Sequence, residues 1–144
     1  MSVDSAFLTA YRGGFINMLR WPEFDQLIDT LNSQNDGHWY LYAVGEQAPQ
    51  EKASQTETAS FLLEIQKLIK QDHDEDYCGI VYADDRQTPS FIKFYDPNHL
   101  GASCGSSGKH VFPGWIMCRL QPEDLQLAFP PAGNRRRWWR SLFS

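Results

Sequence analysis

Ser54-Gln-Thr-Glu57, with the apolar residues that follow it, limits what this chain can fold into more than any other stretch. Ser and Glu three apart form a capping box, in which each side chain takes up a backbone N–H at a helix start. Phe61, Leu62, Ile65, Leu68 and Ile69 then recur at i, i+1, i+4, i+7 and i+8, which is one face of an α-helix. The pattern predicts a helix over about residues 56–71 with a single apolar stripe. Such a stripe needs a second layer to lie on.

The chain supplies candidates for that layer. His38 to Val44 is short, aromatic and β-favouring, and Tyr77 to Ala83, Ser90 to Tyr95 and Val111 to Leu120 read as further strands. Pro113-Gly114 marks a bulge or a late start in the last of them. Two more helices are expected upstream. Residues 4–20 carry Phe7, Leu8, Tyr11, Phe15, Met18 and Leu19 at roughly helical spacing, with Asp4 as N-cap and a centre weakened by Gly13-Gly14. Pro22 suits the start of a second helix bearing Phe24, Leu27, Ile28 and Leu31. The order α-α-β-α-β-β-β predicts an α+β fold, a small antiparallel sheet of about four strands with helices packed on one face.

At 144 residues this is one domain, expected over residues 1–129, with 130–134 (Pro-Pro-Ala-Gly-Asn) as a spacer and 135–144 as an appended tail. No apolar run approaches the roughly 18 residues of a membrane span. Thirteen basic and eighteen acidic residues give a net charge of −5. Four of the basic ones, Arg135, Arg136, Arg137 and Arg140, lie in the last ten positions, so residues 1–134 hold nine against eighteen, a net of −9. A body of that sign repels phosphate backbones, so nucleic acid is not expected as a partner. Three cysteines without C-x-x-C spacing, and an N-terminus lacking a basic, then apolar, leader, point to a cytoplasmic protein. Cys78 and Cys118 share strand faces with aliphatic residues and read as buried structural thiols.

Two segments carry the functional expectations. The first is the Gly/Ser-rich connection from Asp96 to His110. Gly101, Gly105 and Gly108 permit a backbone that turns N–H groups inward on an anion, with Ser103, Ser106, Ser107 and Lys109 as further contacts. Cys104 lies among them. A cation or imidazole lowers a thiol's pKa, so Cys104 is the best single candidate for a nucleophile, with His110 and Asp96 as helpers. Against this, Gly108-Lys109 is followed by His110, which departs from phosphate-loop spacing. Asp72, Asp74 and Asp76 alternate as at the start of a calcium loop, but Tyr77 and Ala83 occupy the positions that need Gly and Glu. No metal and no cofactor is predicted.

The second segment is the tail. Arg135, Arg136, Arg137 and Arg140 with Trp138, Trp139, Leu142 and Phe143 form a cationic, aromatic strip of residue types common at binding hot spots. The expectation is a non-catalytic binding or accessory module that grips a protein partner through this tail and the Gly/Ser-rich loop. Peripheral membrane contact, or a fold-back of the strip onto its own domain, are the other dockings weighed. The rival from a different class is a cysteine-dependent or anion-binding enzyme centred on Cys104.

Overall fold

Each apolar stripe in the sequence finds its cover in the computed structural model, which describes residues 5–99, 112–125 and 133–143. The elements are α1 (Ala6–Tyr11), β1 (Ile16–Asn17), α2 (Trp21–Ser33), β2 (Tyr40–Ala43), α3 (Gln55–Asp72), β3 (Val81–Ala83), β4 (Phe91–Phe94), β5 (Trp115–Cys118) and α4 (Gly133–Ser141). A 3-10 turn, Pro97–His99, follows β4. The five strands form one antiparallel sheet in the order β1-β3-β4-β5-β2. The fold is α+β, with one strand more than predicted. No helix among the described residues is long and apolar enough to cross a membrane.

α3 forms as its local code requires. Ser54 Oγ accepts the Glu57 N–H at 3.0 Å, and Glu57 Oε1 accepts the Ser54 N–H at 2.9 Å. Phe61, Leu62, Ile65, Leu68 and Ile69 are buried, each side chain contributing about 1.5–3 kcal/mol of hydrophobic stabilisation. They share one core with Phe24, Leu27, Ile28 and Leu31 of α2 and with the sheet residues Leu41, Ala43, Val81, Ala83, Ile92, Phe94, Trp115 and Met117.

The N-terminal segment departs from the prediction. α1 is only six residues long, and Ser5 rather than Asp4 caps it, its Oγ accepting the Leu8 N–H at 3.1 Å. Gly13-Gly14 ends the helix instead of bending it, and Ile16–Asn17 becomes the edge strand β1 paired with β3. α1 also lies on the sheet face opposite α2 and α3. Phe7 packs there with Tyr42, Phe91, Ile116 and Cys118, the residues that alternate with the first core along β2, β4 and β5. Helices therefore cover both faces of the sheet, where the sequence reading placed them on one.

Candidate functional site

The last helix is where the tail's chemistry goes. Residues 133–141 form α4, and Arg135, Trp138, Trp139 and Leu142 fall at i, i+3, i+4 and i+7 along it and its final turn. That stripe faces the domain. The Trp138 ring meets Trp115 of β5 at 5.3 Å between centroids, and Trp139 meets Phe61 of α3 at 5.9 Å, both edge-on. Trp138, Trp139 and Leu142 thus extend the core formed by α2, α3 and the sheet. The appended peptide expected from the sequence is an integral helix, because its rings complete a layer that α2 and α3 leave open.

Arg135 anchors the helix. Its side chain is 8% exposed and lies between two carboxylates, Asp96 (4% exposed) and Asp72 (26% exposed). Nε reaches Asp96 Oδ2 at 3.2 Å, while Nη2 reaches Asp96 Oδ1 at 3.2 Å and Asp72 Oδ2 at 2.6 Å. The two parallel bonds to Asp96 are the bidentate geometry that suits guanidinium and carboxylate planes. Burial disfavours the guanidinium's charge. The hydrogen bonds and negative charges of Asp96 and Asp72 outweigh it and hold its pKa above the ordinary arginine value. Asp96 is placed for this by its turn, where Oδ1 also accepts the Asn98 N–H at 2.9 Å. Gly114 packs against it closely. A Cβ there would lie 3.2 Å from the Asp96 Cβ.

The solvent side of α4 is different. Arg136 pairs with Glu46 at 3.1 Å, whereas Arg137 and Arg140 are exposed and have no ion pair among the described residues. Phe143 is partly exposed and leans on Trp139, with centroids 4.9 Å apart. α4 thus turns its rings and one arginine inward and presents a cationic edge outward.

The other candidates are placed as follows. Gly101, Ser103, Cys104, Gly105, Ser106, Ser107, Gly108, Lys109 and His110 lie outside the described residues. Asp96, read as a helper for Cys104, instead has both oxygens engaged by Arg135. Asp72, the first of the alternating aspartates, is the second partner of that arginine. Cys78 and Cys118 are buried free thiols, and burial pushes them up to about 11 and about 12, far from thiolate chemistry at neutral pH. Asp84 and Asp85 close the β3–β4 hairpin. Asp84 Oδ1 accepts the Ser90 and Phe91 N–H groups, and Asp85 Oδ1 those of Gln87 and Thr88.

One half-buried charge gave no sequence signal. Lys93 alternates inward on β4 toward α1, where Nζ donates to the Tyr11 carbonyl at 2.7 Å. It also lies 4.0 and 4.1 Å from the Tyr11 and Phe15 ring centroids. Burial pushes its pKa down to about 8. A lysine that holds its proton less tightly when folded makes stability rise as pH climbs from about 8 toward the unfolded value near 10.4. Buried Cys78 and Cys118 and partly buried Tyr11 act oppositely above pH 9, so the Lys93 contribution is read by difference. Subtracting the unfolding free energies of Lys93→Met from those of the wild type, measured by urea titration at each pH, is expected to give a difference that rises between pH 8 and 10. A flat difference would mean that the amine is not desolvated.

Compared with known proteins, the chain matches no family model, no curated sequence and no solved structure.

Proposed function

We propose that the chain is a non-catalytic binding module that docks an acidic surface of a partner protein on the outer edge of α4. The carrying observation is the split of that helix. Arg135, Trp138 and Trp139 hold it to the domain, which leaves Arg137 and Arg140 as exposed, preorganised cations with no ion pair among the described residues, on an otherwise acidic molecule. Fixing the helix beforehand lowers the ordering entropy that a loose peptide would lose on binding. The same packing favours a protein over a bilayer, since indoles turned inward cannot settle at headgroup depth. The cytoplasm is the proposed location, supported by the free thiols Cys78 and Cys118.

The reading is tested with a decaglutamate peptide and, separately, phosphatidylserine vesicles, each titrated into isotope-labelled protein. Amide signals of residues 136–143 are expected to shift with the peptide and to lose that response in high salt. Arg137→Glu combined with Arg140→Glu should weaken the peptide about ten-fold. Global stability should move by less than about 0.5 kcal/mol, because both side chains are exposed. Response to vesicles alone, or an undiminished response in the double variant, would overturn the reading.

A further inference from the structure

β2 is the last strand of the sheet, and its hydrogen-bond register shows which backbone groups face outward. The Arg119 N–H donates to the Ser90 carbonyl at 3.0 Å, just beyond the Cys118–Phe91 pair, so Trp115, Met117 and Arg119 of the β5 segment bond toward β4. The Val44 N–H donates to the Gly114 carbonyl at 3.0 Å, so that carbonyl, Ile116 and Cys118 bond toward β2, while the Gly114 N–H donates to the Phe94 carbonyl of β4 at 2.8 Å. Tyr40, Tyr42 and Val44 therefore satisfy β5, and Leu41 and Ala43 point their N–H and C=O groups away from the sheet.

The chain meets that outer edge at two places only among the described residues. The Ala53 N–H donates to the Trp39 carbonyl at 2.8 Å, and the Glu46 N–H donates to the Ala43 carbonyl at 3.0 Å. Between them, Leu41 keeps an N–H and a C=O, and Ala43 an N–H, with no backbone partner there. Those two residues form the floor of a cleft of about 290 Å³ between the 46–53 segment and α4. Trp139 and Phe143 make its aromatic wall, and Glu46, Glu51 and Glu57 edge it, with Lys52 the single cation in the lining. Glu46 is held by Arg136, and Glu57 accepts the Ser54 N–H. Glu51 is exposed, with no ion pair among the described residues.

We infer that this cleft receives a short extended segment of a partner protein that carries a lysine or arginine, its backbone pairing with Leu41 and Ala43. Open edge groups supply main-chain hydrogen bonds, as in other β-strand additions. The cleft's volume limits the insert to one or two residues with their side chains. An aliphatic stem against Trp139 and Phe143, with its cationic head among the carboxylates, uses both walls at once. A carboxylate-bearing segment would be repelled. The site has the opposite sign to the arginine edge of α4 and stands independently of the binding role proposed for that edge.

The test uses the full chain, isotope-labelled, titrated with an acetylated and amidated hexapeptide alternating lysine and valine. Saturable shifts of the Leu41 and Ala43 amide signals are expected. The same peptide with backbone N-methyl groups, and its glutamate counterpart, should each bind the cleft at least ten-fold more weakly. Glu51→Lys, a surface change that leaves the remaining signals in place, should weaken the lysine peptide about ten-fold. Equal binding of the N-methylated peptide would overturn the strand pairing, and equal binding of the glutamate peptide at Leu41 would overturn the charge selection. Silence of Leu41 and Ala43 toward the lysine peptide overturns the site outright, and leaves the decaglutamate response of α4 as a separate result.

Discussion

Arg135→Ala is expected to lower the unfolding free energy by about 3–5 kcal/mol, the range for breaking a buried ion pair by removing one partner. The loss comes less from the missing attraction than from what stays behind. Asp96 is 4% exposed, and without the guanidinium its charge stays buried, with the Asn98 amide as its remaining hydrogen-bond donor among the described residues. Arg135→Lys should recover only part of the loss, since an ammonium cannot make the paired Nε and Nη2 bonds to both Asp96 oxygens. Asp72→Asn should be milder than Asp96→Asn, because Asp72 is 26% exposed and water stabilises what Arg135 releases. Urea unfolding followed by tryptophan emission reads all four variants, and Trp138 and Trp139 lie on the helix being released. If Arg135→Ala changed stability by less than about 1 kcal/mol, the rings alone would be holding α4 to the sheet.

The parts of this molecule that could be read from the sequence are those written within one turn or one strand. α3 was legible because its capping box and its stripe are both local, and its ends fall within a residue of the prediction. β2, β4 and β5 were legible as apolar, aromatic runs. Their neighbours were not, since β5 lies between β4 and β2 through contacts that no local pattern encodes. β1 escaped notice because two residues carry no periodicity, and its strand character comes from pairing with β3.

The tail shows the same division. Its composition is that of a ligand-seeking peptide, and four arginines in one decade argue for exposure. The stripe Arg135, Trp138, Trp139 and Leu142 was nevertheless present at helical spacing, and it marks the face that packs against the core. What stayed out of reach was why an arginine belongs on that face. Its partners, Asp96 and Asp72, lie 39 and 63 residues away along the chain. Of the candidate site, the charge segregation was visible and the division of labour among the arginines was not.

Phe91→Ala tests whether the two sheet faces are energetically separate. Phe91 is buried, with ring centroids 5.5 Å from Phe7, 5.6 Å from Phe15 and 6.4 Å from Tyr11, so it holds α1 and the segment after it. Truncation there should cost about 3–5 kcal/mol, the usual range for a buried phenylalanine whose neighbours relax only in part. α1 is short and has no other deep anchor besides Phe7, so its amides should exchange with solvent fastest. Lys93 should follow. Its depressed pKa depends on burial under Tyr11 and Phe15, and loosening those rings should return it toward the ordinary lysine value. Emission from Trp138 and Trp139 in the native state should stay unchanged, because Phe94, not Phe91, faces Phe61 and the helix beyond it. Phe94→Ala reverses the pattern, with a loss of similar size, disturbed tryptophan emission and an undisturbed Lys93. If Phe91→Ala moved the tryptophan signal as far as Phe94→Ala does, the layers would be coupled through the sheet. The binding edge proposed on α4 would then be sensitive to how α1 packs on the far side.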